Sequence, residues 1–374
     1  MLGYSFMGKA HANALNALRH LDRNTPLIPE LITICGRDES ALEVARLQYG
    51  FQDKVVDWRD LINDERIRVF DNTGPNSVHA EPTIAAANRG MHVFCEKPLG
   101  MNSVDSYDMW KAAEEASVIH MTAFNYRFFP AIRLARQMIE NGDLGTIYHF
   151  RSNFLDASAV DPNQSKTSWR FQSGQAGSGA IGDLGAHHID VARYLVGEPA
   201  SVSSITRTFV PERSGFQVDV DDAFEAIVEF EGGAIGTFEA SRVAAGYINE
   251  SRIQIDGSKA SISFDVQNLN HLRIGEFGKG FRDVLVTATD HPFANYWYPP
   301  GHPLGWDASF THEFDHFFRA IAGEHTVAPY GATFEDGYKA AVICDAILSS
   351  SISGQREKIV YRNLTSVLSQ SSAQ

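Results

Sequence analysis

Gly3-Tyr4-Ser5-Phe6-Met7-Gly8-Lys9-Ala10-His11 sets two glycines five positions apart at the head of the chain, with the start of a helical pattern behind them. A glycine turn that runs into a helix points backbone N–H groups at one spot, where the helix N-terminus also favours negative charge. The spacing therefore fits a seat for a dinucleotide pyrophosphate, and Gly3, Ser5, Phe6, Met7 and Gly8 are candidate cofactor contacts. Ser5 replaces the middle glycine of the usual G-x-G-x-x-G pattern, and only Met1 and Leu2 precede the turn. Such a turn follows the central strand of a parallel sheet. The first strand is thus expected to be truncated, with further strand residues expected ahead of Met1.

Outward from the turn, short apolar runs alternate with helical patterns. Strands are expected at 31–35, 68–72, 92–95 and 119–124, and helices at 39–49, 79–89 and 104–116. Continuous apolar strands between helices indicate a parallel sheet covered on both faces, an α/β Rossmann domain over residues 1–124. Beyond 124 the texture changes. A helix at 130–141, a strand at 146–153, a Ser/Gly/Gln-rich loop at 156–179 and a helix at 186–195 precede strands at 224–230, 234–241, 252–256 and 260–264. Gly232-Gly233 and Gly257-Ser258 are hairpin turns, so residues 125–362 are expected to form an α+β domain with a large, mostly antiparallel open sheet. Helices at 311–322 and 334–350 close it, and 363–374 is a Ser/Gln-rich tail.

The 374 residues carry a formal net charge of -14, which disfavours nucleic acid and anionic lipid as partners. Three scattered cysteines fit a reducing, cytoplasmic setting and offer no thiolate metal site. No apolar run reaches membrane-span length, and no signal-like segment opens the chain.

Four further segments carry chemistry. The second expected strand ends in Gly36-Arg37, where a carboxylate for the ribose hydroxyls would stand; its absence beside the Arg37 guanidinium favours NADP over NAD. Thr73, Pro75, Asn76 and His79 follow the next strand, and Glu96-Lys97-Pro98 follows the one after, both at strand ends where ligands bind in open parallel sheets. In Gly179–Asp190, Asp183 and His187 lie four apart and share a face if helical, giving a carboxylate-tuned imidazole. Finally, His312-Glu313-Phe314-Asp315-His316 matches the H-E-x-x-H zinc motif, with Glu335 available as a third ligand. Phe310, Phe314, Phe317, Phe318 and Ile321 share that helix at core-facing spacing, so a packed helix is the expectation and a zinc hydrolase the remote alternative.

In this order the motifs resemble the glucose–fructose oxidoreductase and inositol dehydrogenase (Gfo/Idh/MocA) family. The resemblance rests on G-x-x-x-x-G-x-x-H-x-x-A at Gly3–Ala14, T-G-P-N-x-x-H at Thr73–His79 and C-E-K-P-L at Cys95–Leu99. It continues in N-Y-R-F at Asn125–Phe128 and D-x-G-x-H-x-x-D at Asp183–Asp190, and so spans essentially the whole chain. Ser168-Trp169-Arg170-Phe171 and the aromatic stretch 296–306 look like the longer inositol and levoglucosan dehydrogenase-like members. The resemblance implies an NAD(P)-dependent dehydrogenase acting on a secondary alcohol of a sugar, anhydrosugar or cyclic polyol, assembled as a homo-oligomer (dimer or tetramer). The alternative on the same scaffold is a catalytically silent nucleotide-binding regulator. It further implies His187 as general base, Asp183 as the group that orients it, and Lys97 on the reacting oxygen; Lys97 is itself the acceptor if burial lowers its pKa. Glu96, Lys97 and Asn125 are expected at the cofactor, and Tyr126, Arg127, Trp169 and Asp190 at the substrate.

Overall fold

Leu2 decides how the first sheet is assembled. The computed structural model describes residues 1–21, 24–163 and 168–364; the remainder of the expected tail lies outside them. Helix α1 (Phe6–Ala17) leads into β1 (Thr33–Cys35), α2 (Glu39–Tyr49), β2 (Asp53–Val55), α3 (Trp58–Asn63) and β3 (Val69–Asn72). Next come α4 (Ala80–Asn88), β4 (His92–Glu96), α5 (Ser103–Glu115) and β5 (His120–Ala123). β1 pairs with β2, and β3 with β4 and then β5, all in parallel. Leu2 joins the two groups by parallel bridges to Cys35 and Asn72, so the first strand is a stub at the centre of the sheet. The chain leaves that centre in both directions, and a crevice opens at the C-terminal strand ends.

The second half begins with α6 (Pro130–Glu140), β6 (Ile147–Leu155), the single turn α7 (Ser173–Ala176) and α8 (Ala186–Leu195). Then follow β7 (Pro199–Arg207), a small hairpin of β8 (Glu212–Arg213) and β9 (Phe216–Gln217), β10 (Ala223–Phe230), β11 (Ile235–Ser241), β12 (Glu250–Gly257) and β13 (Ala260–Asp265). β14 (His271–Glu276), β15 (Gly280–Leu285), α9 (Ala308–Ile321), α10 (Phe334–Ser353) and β16 (Glu357–Lys358) complete the chain. The nine-stranded sheet runs β15-β14-β13-β12-β6-β11-β10-β7-β16, antiparallel except where β6 meets β11. Along β10 buried and exposed residues alternate, because one face packs against helices and the other is open.

The last two helices turn back to the first half. Phe310, Phe314, Phe317 and Phe318 of α9 share a core with Ala14, Leu15, Phe94 and Met121, while Phe334 and Tyr338 of α10 pack with Leu99, Met109 and Trp110. The expected division at residue 124 is thus bridged by the core itself.

Candidate active site

A cleft of about 1100 Å³ runs from the glycine turn to the second half of the chain. At the turn, Gly3 has φ +98°, and a Cβ there would stand 2.6 Å from Thr73 Oγ1. A Cβ on Gly8 would come within 2.5 Å of the Gly3 carbonyl. Both sites therefore exclude side chains. Ser5 has φ -76° and caps α1 in extended geometry, which any residue adopts, so the missing middle glycine costs the turn nothing. Gly3, Ser5, Phe6, Met7, Arg37, Thr73, Pro75, Asn76, Glu96 and Asn125 all line this end. Gly8 does not: it is buried and serves the close approach of α1 to the turn.

At the other end, Lys97 leaves the tip of β4 and its Nζ donates to the Asp183 main-chain carbonyl at 2.7 Å. The same Nζ stands 3.5 Å from Asp183 Oδ1, and Arg170 Nη1 reaches that oxygen at 3.3 Å. Burial opposes the charge on Asp183, but Arg170, Lys97 and Arg242 outweigh it and hold the carboxyl well below the usual range. Residues 181–185 form a π turn rather than an α turn. The expected pairing of Asp183 with His187 is absent: His187 Nδ1 is buried without a partner among the described residues, and the carboxylate faces cations. The His187 ring stacks on Tyr126 with centroids 4.5 Å apart. Burial, then the neighbouring Lys97 charge, push its pKa well below 6.5, so the imidazole is neutral at pH 7. Tyr126, Trp169, Asp183 and His187 line the cleft.

Two expected contact sets, Arg127 with Asp190 and, separately, His79, lie away from the cleft, and the remote zinc alternative finds no support in the geometry of its residues. Arg127 is buried and makes a two-pronged pair with Asp190 (2.8 and 2.6 Å) plus a bond to the Gly331 carbonyl, so both residues are structural and neither faces the cleft. His79 is buried, with its ring nitrogens 2.9 Å from the Pro98 carbonyl and 3.0 Å from the Gly74 carbonyl; it ties together the two loops that hold the site. The H-E-x-x-H residues form no metal centre. His312 Nε2 accepts from the Trp297 indole at 2.8 Å while Nδ1 faces the Phe128 carbonyl, and His316 Nε2 faces the Val327 carbonyl. Among the described residues no His/Cys/Asp/Glu group has metal-binding geometry.

Cleft residues outside the expected set include Tyr4, Asp38, Arg170, Ile248, Gln267 and Trp306. The Tyr4 ring would lie 2.1 Å from a Cβ at position 36, which explains the glycine there. Asp38, two residues on, caps α2 through Ser40 and Ala41 and still edges the cleft. Its capping signature, Asp before Glu-Ser-Ala, was present in the sequence.

A glycine turn at a sheet's switch point, facing a cation, a carboxylate and a neutral imidazole across one cleft, defines a dinucleotide-dependent oxidoreductase. The chain belongs to the GFO/IDH/MocA family: residues 1–124 match "Oxidoreductase family, NAD-binding Rossmann fold" and residues 132–263 match "GFO/IDH/MocA C-terminal domain". It is 39% identical over 376 residues to levoglucosan dehydrogenase of Pseudarthrobacter phenanthrenivorans, covering 94% of this chain and 95% of that one. It is 30% identical over 268 residues to myo-inositol 2-dehydrogenase of Thermotoga maritima, covering 71% and 74%. Among solved structures, levoglucosan dehydrogenase in complex with NADH and levoglucosan superposes with a TM-score of 0.92 at 38% identity, over 96% of this chain and 98% of that one.

Proposed function

We propose that this enzyme oxidises, reversibly, a secondary carbinol of an anhydrosugar, sugar or cyclic polyol to the ketone, passing hydride to NAD(P)⁺ and releasing one proton. The observation that carries the reading is that Lys97 and His187 border one cleft whose far end is the glycine turn. The turn fits the dinucleotide, since Gly3 and Gly8 let the turn and α1 pack so closely that any Cβ would deform them, while Ser5, Phe6 and Met7 at the helix start border the cleft. When bound, the nicotinamide supplies the hydride-accepting carbon.

The chain's own residues manage the oxygen and its proton. Lys97 Nζ, held by the Asp183 carbonyl, keeps donors free for the reacting hydroxyl and stabilises developing alkoxide charge. His187 Nδ1 is walled off, which leaves Nε2 as the nitrogen that accepts the hydroxyl proton. Asp183 balances Lys97 and Arg170, and so fixes the cation rather than the imidazole. Trp169, with Arg170 stacked over it at 4.5 Å, offers the aromatic face that sugar sites use.

For the cofactor, Arg37 favours the 2′-phosphate of NADP and Asp38 favours the free 2′-hydroxyl of NAD. With both on one wall, either dinucleotide is accepted. The open face of the large sheet exposes Tyr148, Ile205, Ile227 and Ile235, and we assign it to a homo-oligomer contact, dimer or tetramer. The three unpaired, buried cysteines support a cytoplasmic setting.

The test is absorbance at 340 nm with NAD⁺ or NADP⁺ over levoglucosan, inositols and pyranoses. Turnover is expected first with levoglucosan. NADH binding without turnover on any member would overturn the reading.

A further inference from the structure

His11 lies on α1, just past the glycine turn, and its imidazole is fully buried. Nδ1 stands 3.0 and 3.1 Å from the two carboxylate oxygens of Asp71 on β3, and Nε2 stands 3.0 Å from Glu96 Oε1 at the end of β4. The other Glu96 oxygen accepts the Lys97 backbone N–H at 2.9 Å. Hydrogen bonds thus run unbroken from the helix behind the phosphate seat to the main chain of Lys97. Phe94, Phe310 and Phe314 pack around the ring and fix its plane. Both ring nitrogens face carboxylates, and only a doubly protonated ring can donate to both.

We propose that His11 is a positioning residue for the reaction: clamped as an imidazolium between Asp71 and Glu96, it aims Glu96 at Lys97 and so registers Lys97 Nζ against the dinucleotide seat. The inference rests on the dehydrogenase reading above. Burial works against a charged ring, but Asp71 and Glu96 outweigh it and raise the pKa to about 10. Among the described residues, the buried Met1 ammonium faces Asp71, the Cys95 thiol lies near both carboxylates, and Glu313 on α9 faces the ring. Burial pushes its carboxyl well above the usual range and both its oxygens lack partners among the described residues, so it stays neutral and does not compete for the ring's charge.

The experiment compares wild type, His11→Leu and His11→Gln. In His11→Leu, kcat on the best polyol is expected to fall by about 30-fold while the NADH Kd, read by fluorescence titration, stays within about threefold. His11→Gln, which restores a donor toward Glu96, is expected to recover kcat to within about fivefold of wild type. A His11→Leu enzyme with kcat within about twofold of wild type would overturn the proposal, as would parallel loss of kcat and NADH affinity. Should His11→Leu fail to fold, ¹⁵N NMR of the wild-type histidines decides, with the His11 signal assigned by its loss in His11→Gln. An imidazolium pattern at pH 8 is expected, and a neutral pattern overturns the clamp. If wild type binds NADH but turns over no polyol, the dehydrogenase reading fails by itself, and the clamp stands or falls on the NMR pattern.

Discussion

Lys97 Nζ donates to the Asp183 main-chain carbonyl across 2.7 Å, joining the tip of β4 to the π turn ahead of α8. A side chain from the parallel sheet is thereby held by the backbone of the other half of the chain. The Asp183 carboxylate stands 3.5 Å from the same Nζ, so main chain and side chain of one residue hold the ammonium together.

Lys97→Met removes the donor to the reacting oxygen and leaves the glycine turn untouched. Turnover should drop by about 10³-fold with NADH affinity within about threefold of wild type, measured by steady-state absorbance and fluorescence titration. Wild-type turnover in this variant would remove Lys97 from the mechanism.

Arg170→Ala takes away the strongest of the cations that hold Asp183 ionised. The Asp183 pKa rises toward the usual range, and the carboxylate begins to protonate, uncoupling from Lys97, at higher pH than in wild type. Carboxyl ¹³C NMR should show Asp183 titrating at higher pH than in wild type. An unmoved Asp183 titration would mean that Arg170 does not hold the carboxylate ionised.

Thermal stability should peak near neutrality. His188, His312 and His316 are pushed by burial from the usual 6.5 down to about 3. Below pH 6.5 the unfolded chain binds protons that the folded one refuses, so stability falls from 6.5 toward 3. His11 works in the opposite sense: raised to about 10, its contribution is full below 6.5 and is lost as pH climbs from 6.5 through 10. His11→Gln should flatten the alkaline limb of the Tm–pH curve and leave the acid limb in place. Identical alkaline limbs in both proteins would contradict this.

Arg37→Ala should lower the NADP/NAD ratio of kcat/KM by about tenfold, and Asp38→Ala should raise it. Asp38→Ala also removes the α2 cap, so its Tm should fall slightly. A ratio unchanged in both variants would put the adenosine ribose elsewhere.

His312→Ala should cost about 2–4 kcal/mol of stability, since it empties a buried site and strands the Trp297 indole N–H. Chelators should leave activity unchanged. Loss of activity in EDTA, restored by zinc, would revive the metal reading of this helix.

The parallel strands and their helices were legible because apolar runs buried on both faces differ plainly from 3.6-residue patterns; α2 and α8 were read at their observed ends. Cleft residues at strand ends were legible for the same reason, since topology puts strand ends at the site. Arg127 and Asp190 were misplaced because a buried ion pair and a ligand-binding pair use the same residue types, and only the fold tells them apart. The partner of Asp183 was missed because a π turn re-aims the carboxylate while leaving the four-residue spacing intact. Arg170 was legible only as part of the Ser168–Phe171 segment: it sits at the end of a polar loop, and its role comes from the carboxylate it meets.

The return of α9 and α10 has a consequence for recombination. The two family segments, 1–124 and 132–263, read as interchangeable cassettes. Yet Phe94 and Met121 are roofed by phenylalanines encoded some two hundred positions later, and Leu99 and Met109 by Phe334 and Tyr338. A chimaera spliced at a single point near residue 124 would inherit a floor from one parent and a roof from another. Exchange of cofactor specificity by transplantation therefore calls for two crossovers, with 308–353 travelling alongside 1–124.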